Sequence, residues 1–526
     1  MTNPPALTNL LAAKPAHARI LWAALFFCLL PFVIFSFVPG MSGDDYMLAL
    51  YYRDHGFFGT QQVVYTHWTG RYTATFIGAL FMKFGWPQRY YFLHPLLLFL
   101  CTWGALFFLL STVNRYLLRR LFTRAGVALA SGVLLMVTIY VQAETATGFY
   151  WFSSAVTYQP AFIFFLLLTA ALIRRFRSGG DPPFHRHWRG DAVILLLILL
   201  IIGCNEIAAV FLIFFLLLLI TGHYYYRRSV PVSLVVYAGV SIVMGAIILL
   251  TSGLLSVRYS YMNPNTPAAA VLPMILFRGA AVFYYILKVP LFWIGCSVLY
   301  LTGRRAAASL PGSPFLSFPG PPPSDRPTVA ASPSSQGRKM LVPCLVAIPV
   351  LVLLTLTAIL MVSKGALPDR ALNNLIDLTA VLLLGLAFIA GLSSSAPSIP
   401  PIGSPFVSPT AFLVVLVVGL MASDSFPEAW RNDLSGYFYH SVEAGRIRKM
   451  EEARVNRQKT IVLSPYDEAL QAEIHRVFPH GTFKTMMLLL KERPSFLFRG
   501  KDPDLIDPMR RYYYNLDSVT VKSPKM

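Results

Sequence analysis

The sequence predicts an all-α polytopic membrane protein with about 11–12 transmembrane helices and a small extracytoplasmic α/β domain at its C-terminal end. Three observations predict it. Of the 526 residues, 56% are hydrophobic and only 13% charged, and the mean hydropathy is +0.59, so the chain cannot cover itself with polar surface on every side. Apolar runs close to the ~20 residues that span hydrocarbon recur from residue 20 to residue 422. Arg and Lys gather in short clusters between those runs, as they do in cytoplasmic loops.

The first run, Ile20 to Val38, follows Lys14 and Arg19 with no small-x-small cleavage site after it, and it reads as a retained signal anchor with a cytoplasmic N-terminus. Further spans are expected at Leu93–Thr112, Val127–Val141, Ala161–Ile173, Leu234–Leu250, Ala280–Leu301, Leu341–Val362, Leu372–Ala390 and Ala411–Met421. The run from Ala192 to Ile220 is too long for one pass. Gly203-Cys204-Asn205-Glu206 interrupts it, which predicts two short helices meeting at a polar break. Tyr72 to Phe84 is apolar but short, and a full crossing there would place the Arg115–Arg124 cluster outside, so an interfacial or re-entrant segment is expected.

Four parts follow. Residues 1–302 form an N-terminal membrane block that includes an outward loop, 39–91. Residues 303–339 are a Pro/Ser/Gly-rich cytoplasmic linker that cannot bury a core. Residues 340–422 form a second membrane block, within which Ser393–Pro409 is another linker, and 423–526 a soluble extracytoplasmic tail. In the tail, helices are expected at Leu434–Arg454 and Tyr466–Val477, and strands at Lys459–Pro465 and Ser518–Lys522.

The net charge of +20 would suggest nucleic acid in a soluble protein, but no basic stripe is interleaved with exposed aromatics, and anchoring explains the clusters. The five cysteines lie in or beside apolar runs without metal-ligand spacing and read as packing residues. No internal repeat is evident, which counts against repeat-built transporters.

With the basic clusters inside, the remaining polar residues fall on the outward side. Asp44-Asp45-Tyr46 follows the first span, and His67-Trp68-Thr69-Gly70-Arg71 lies further along the same loop. The next outward loop carries Glu144, then Phe149-Tyr150-Trp151 and Tyr158. Asn205-Glu206 sits in the break, where an ionisable side chain needs a cavity or a partner. Arg258, Lys364, Asp369 and Arg370 add to this face. Structural readings compete with functional ones: a solvated helix-end pair for Asp44-Asp45, an interfacial belt for the aromatics, an anchor or Asp369 ion pair for Arg370. Carboxylates and cations gathered at one membrane face suit chemistry on a lipid-borne phosphate, with Arg and Lys holding phosphate oxygens and a carboxylate taking a proton from an attacking hydroxyl or amine.

On these residues the chain resembles the GT-C superfamily of membrane glycosyltransferases, and more closely an uncharacterised bacterial branch of it. The resemblance is carried by Asp44-Asp45-Tyr46, Trp68-Thr69-Gly70-Arg71, Glu144, Gly148-Phe149-Tyr150-Trp151 with Tyr158, Asn205-Glu206 and Tyr513-Tyr514-Asn515-Leu516-Asp517-Ser518-Val519. It implies a protein of the bacterial inner membrane that passes a sugar from a polyprenyl-phosphate carrier to a lipid, glycan or protein acceptor on the outer face. It also implies direct, inverting displacement with Asp44 or Asp45 as general base and Glu144 as a second acidic group. Arg71, Arg258 and Arg370 are then the expected phosphate clamps, with His67, Trp68, Tyr150, Trp151, Tyr158, Asn205, Glu206 and Lys364 around the substrates. No cofactor is required by these motifs, and a divalent metal stays open because branches differ in metal use. The competing expectation is a transporter or flippase of lipid-linked sugar or polysaccharide. A surface-polysaccharide polymerase or ligase is a third, but no large loop in the later half of the chain suits it.

Overall fold

The computed structural model describes residues 15–41, 43–118, 120, 122–176, 184–250, 268–309, 333–362, 369–393, 419, 425–477 and 508–521. Nearly all of it is helix. Helix α1 (Pro15–Phe35) leads through Gly43, whose φ of 46° a side chain would resist, into α2 (Asp44–His67). The segment expected as a long outward loop is therefore largely helical. Helix α2 kinks at Gly56 (φ 65°), and α3 (Tyr72–Lys83) and α4 (Trp86–Arg89) follow it. With 12 residues α3 is ~18 Å long, short of the ~30 Å hydrocarbon core, so it lacks the length of a crossing.

Then come α5 (Leu93–Tyr116), α6 (Arg124–Val141), a π-helical turn (Ala146–Tyr150) and α7 (Phe152–Phe176). Helices α8 (Phe184–Ile202) and α9 (Glu206–Arg227) meet at the expected polar break, where Asn205 Oδ1 accepts the Ala208 amide at 2.8 Å and caps α9. Helix α10 (Val232–Leu250) is followed by α11 (Ala268–Leu287) and α12 (Pro290–Ser309), bent by 72° across Lys288-Val289. Pro290 has no amide hydrogen to continue the preceding ladder, so the span expected at Ala280–Leu301 is broken there. Helices α13 (Pro333–Val362) and α14 (Asp369–Leu392) complete the bundle.

Seven helices among the described residues are long and apolar enough to cross a membrane, and the bent pair α11/α12 makes an eighth if counted as one span. The chain is thus an all-α polytopic membrane protein. The number is lower than the 11–12 expected for identifiable reasons. Among the described residues α1 counts as a shorter apolar helix, Trp22–Phe35, and the Ala192–Ile220 run is shared between α9, which qualifies, and α8, whose first turns carry Arg186, Arg189 and Asp191. The run Ala411–Met421 lies, apart from Gly419, outside the described residues. The expected 303–339 linker is helical at both ends, to Ser309 and from Pro333, and its middle lies outside them too, as does Ser393–Pro409 beyond Ser393.

Helix α7 is the central column, packed by α2, α3, α5, α8 and α14. Its Phe152, Ala155, Phe162, Leu166, Leu168 and Ala170 are wholly buried, whereas Phe108, Val243, Leu272 and Leu354 on peripheral helices are exposed, as lipid contact requires. In the tail, α15 (Ser425–Val455) starts nine residues before the expected helix and runs beside α1, with Trp430 and Phe27 rings 5.9 Å apart. Strands β1 (Thr460–Leu463) and β2 (Ser518–Val521) pair in parallel, with α16 (Tyr466–Val477) and α17 (Pro508–Tyr513) between them. Met450, Ala453, Leu463, Tyr514 and Leu516 of the tail share one apolar core with Met41, Tyr46, Ala49, Tyr91 and Phe152, so the tail is docked against α2 and the start of α7.

Candidate active site at the start of helix α7

The first two turns of α7 bring together most of the polar residues singled out by the sequence. A helix start presents unpaired amide hydrogens and a partial positive charge. Both are answered here by a carboxylate from another helix. Asp45 is fully buried, its Oδ1 accepting the Ser153 amide at 2.8 Å and the Ser153 hydroxyl at 2.5 Å. Its Oδ2 accepts the Tyr91 hydroxyl at 3.0 Å, and Tyr91 in turn accepts the Phe152 amide at 3.0 Å. Burial, and then the charge of Asp45, hold the Tyr91 phenol well above its usual range, so it remains a donor. Tyr91 and Ser153 were not singled out in the sequence, where neither differs from an ordinary interfacial Tyr or helix-start Ser.

Asp44 differs from its neighbour. It is half-buried at the first position of α2 and makes no hydrogen bond or ion pair among the described residues. Of the two carboxylates it is the one whose lone pairs are open to a substrate proton.

Trp151 immediately precedes α7, and the Arg370 guanidinium lies 4.6 Å from its ring centroid. Arg370 makes no ion pair with a carboxylate among the described residues. One turn further along α14, Asn373 Oδ1 accepts the Glu144 amide at 3.1 Å and its Nδ2 donates to the Glu144 carbonyl at 2.7 Å. Thr147 Oγ1 donates to Glu144 Oε2 at 3.2 Å. Glu144 is thereby fixed beside the Arg370 end of α14.

The third group closes the inner side. Arg71 grips Glu206 bidentately, with Nε 3.0 and 2.9 Å from Oε1 and Oε2 and Nη2 2.6 Å from Oε2, and Thr69 Oγ1 donates to Oε1 at 3.3 Å. The Arg71 guanidinium also lies 5.9 Å from the Tyr158 ring centroid. Asn205 Nδ2 donates to Thr157 O at 3.1 Å, and Asn374 Nδ2 to Tyr158 O at 2.9 Å. Two residues expected to act separately, Arg71 as a phosphate clamp and Glu206 on substrate, are thus joined in one ion pair that fastens α3 to the α8–α9 break.

Other expectations fall elsewhere. Tyr150, the last residue of the π-helical turn, points into the core, where its hydroxyl donates to Phe32 O at 2.8 Å. His67 is exposed at the end of α2 and bonded to its own Thr66 and to Val63 O. Trp68 is half-buried just after it. Arg258 and Lys364 lie outside the described residues. Among the described residues no group of three or more His, Cys, Asp or Glu is arranged to hold a metal ion. No family model, curated protein or solved structure matches this chain.

Proposed function

We propose that the protein is a glycosyltransferase of the bacterial inner membrane, with a cytoplasmic N-terminus and an extracytoplasmic tail, that moves a sugar from a polyprenyl-phosphate carrier to a lipid, glycan or protein acceptor. The single observation supporting it is the convergence of two acidic groups, Asp44-Asp45 and Glu144, with the Arg370–Trp151 pair on the outer end of one buried helix. Asp44 takes the proton of an acceptor hydroxyl or amine as that group attacks the anomeric carbon. The bond from that carbon to the phosphate oxygen breaks with inversion, and polyprenyl phosphate leaves with the electron pair. Arg370, resting on the Trp151 ring, meets the phosphate charge that develops. Asp45 is a positioning residue: its bonds to Ser153 and Tyr91 set where α2 starts and hence where Asp44 stands. The GT-C-like architecture belongs to the same proposal.

The test is transfer of labelled sugar from polyprenyl phosphate in membranes holding Asp44→Asn, Asp45→Asn or Glu144→Gln protein. Loss of transfer with normal insertion is expected for each, and wild-type transfer in all three removes the mechanism.

A transporter or flippase of lipid-linked sugar or polysaccharide is favoured by one observation, the buried Asp377 within the α14 span. Movement of lipid-linked sugar across proteoliposomes without transfer to an acceptor would decide for it.

A further inference from the structure

Asp377 is 1% exposed and lies seven residues below Arg370 on α14, ~10 Å deeper along the helix. Among the described residues its one hydrogen bond is from a neutral group, Gln142 Nε2 to Oδ2 at 2.9 Å. Asp377 makes no ion pair among the described residues: residues 125–141 of α6, 152–173 of α7, 207–222 of α9, 290–303 of α12 and 341–362 of α13 contain no Asp, Glu, Lys, Arg or His, and Arg278 of α11, which also packs on α14, is not paired with it. A carboxylate in that setting needs compensation.

The oxygens around it have the same need. Asp377 Oδ1, Gln142 Oε1 and Asn374 Oδ1 are all buried and all without a donor. Two of them belong to a single amide–carboxylate pair, joined by the Gln142 Nε2–Asp377 Oδ2 bond of 2.9 Å. Asn374 stands three residues before Asp377, on the same face of α14. The Gln142 amide lies against Gly148, where a Cβ would collide with it, so the absence of a side chain makes its place. An orphaned buried acceptor costs ~1–3 kcal/mol. A proton on Asp377 makes one bond and leaves at least one acceptor orphaned. A water makes two and brings no charge. A small metal cation neutralises the carboxylate and engages all three oxygens, the hard-ligand set such an ion takes.

We propose that Asp377, Gln142 and Asn374 form an intramembrane site for a small monovalent cation, probed as Na⁺, that locks α14 to the α6–α7 connection beneath Glu144. Because Asn373 of the same helix holds Glu144, occupancy of this site sets the platform under the outer cluster. The site does not rest on the transferase reading and is tested without any activity.

The experiment is thermal unfolding of the full chain in detergent at fixed pH and ionic strength, in NaCl against choline chloride. A saturable rise of several degrees with Na⁺ is expected for the wild type, and none for Asp377→Asn. Should Asp377→Asn not fold, Asn374→Ala keeps the carboxyl, and its half-saturating Na⁺ concentration is expected to rise about tenfold or more, a loss of ~1.4 kcal/mol or more. Equal melting temperatures in the two salts overturn the site, as does a Na⁺ response unchanged in either variant. A wild-type melting temperature that follows pH and ignores Na⁺ assigns a proton there instead and likewise overturns it.

Discussion

The two ends of α7 are both bound to a buried aspartate, but in opposite ways. At the start of α7 Asp45 accepts an amide and two hydroxyls, and the preceding residue, Asp44, makes no hydrogen bond or ion pair among the described residues. At the inner end Arg175 Nε pairs with Asp191 Oδ1 at 2.7 Å, both side chains being buried, and the Tyr237 hydroxyl of α10 bonds the same oxygen. The inner arrangement neutralises its charges internally and ties α7, α8 and α10 together. At the Asp45 end, Asp44 makes no ion pair among the described residues, and the Arg370 guanidinium lies against the Trp151 ring. A fastener cancels its charge, whereas a site for a charged substrate keeps some in hand.

The sharpest way to break this contrast is at Asp44. Asp44→Asn is expected to lower sugar transfer by about 10²–10⁴-fold while leaving the melting temperature unchanged, as loss of a general base requires. Replacing Arg175 by Met at the inner end should do the reverse. It strands Asp191 in the core, and a loss of ~3–5 kcal/mol is expected. That loss would appear as a lower melting temperature with transfer per folded molecule retained. Equal effects of the two substitutions on stability would dissolve the distinction between site and fastener.

Smaller effects sharpen it. Ser153→Ala removes a hydroxyl bond to a charged acceptor and should cost ~1.5–3 kcal/mol, and Tyr91→Phe should cost a similar amount while orphaning the Phe152 amide. Both should reduce kcat without shifting KM for the carrier, since they act through Asp45 on Asp44. Arg370→Ala should raise KM for the polyprenyl-phosphate donor, and its effect on stability should stay within the ~0.5–2 kcal/mol of a cation–π contact. Arg510→Ala is expected to be the mildest at the site. Its Nη1 lies 2.5 Å from Glu443 and its guanidinium 5.3 Å from the Tyr46 ring, so its loss loosens the tail from α2, to be read as faster proteolysis of residues 423–526.

Membrane class was legible because it depends on local properties: run length, apolarity and the absence of charge can be counted along the chain. The α8–α9 break was legible for the same reason, since Gly203-Cys204-Asn205-Glu206 is polar where its surroundings are not. So were the two tail strands and α16, where alternation and turn residues are local signals, though not the parallel pairing of the strands. The span number was not, because a break such as Lys288-Val289-Pro290 changes direction without changing hydropathy. Nor was the helical nature of residues 44–83, whose mixed polar and aromatic pattern fits loop and surface helix alike. Asn373, Asn374 and Asp377 carried a usable signal, three polar residues inside an expected span, that was passed over in favour of the outward loops.

For the site itself, the sequence alone supplied the residue types that flank the spans, and the charge distribution along the chain gave an expected orientation with Asp44, Asp45 and Glu144 on one face. It could not say which of Asp44 and Asp45 is engaged. The two are chemically identical neighbours, and the choice comes from Ser153 and Tyr91, more than 40 residues away in the chain. It could not foresee that Arg71 is occupied by Glu206, 135 residues later, while Arg370 rests on Trp151. Which ionisable groups cancel each other and which are left to meet a substrate depends on distances across the bundle, and only helix packing sets those.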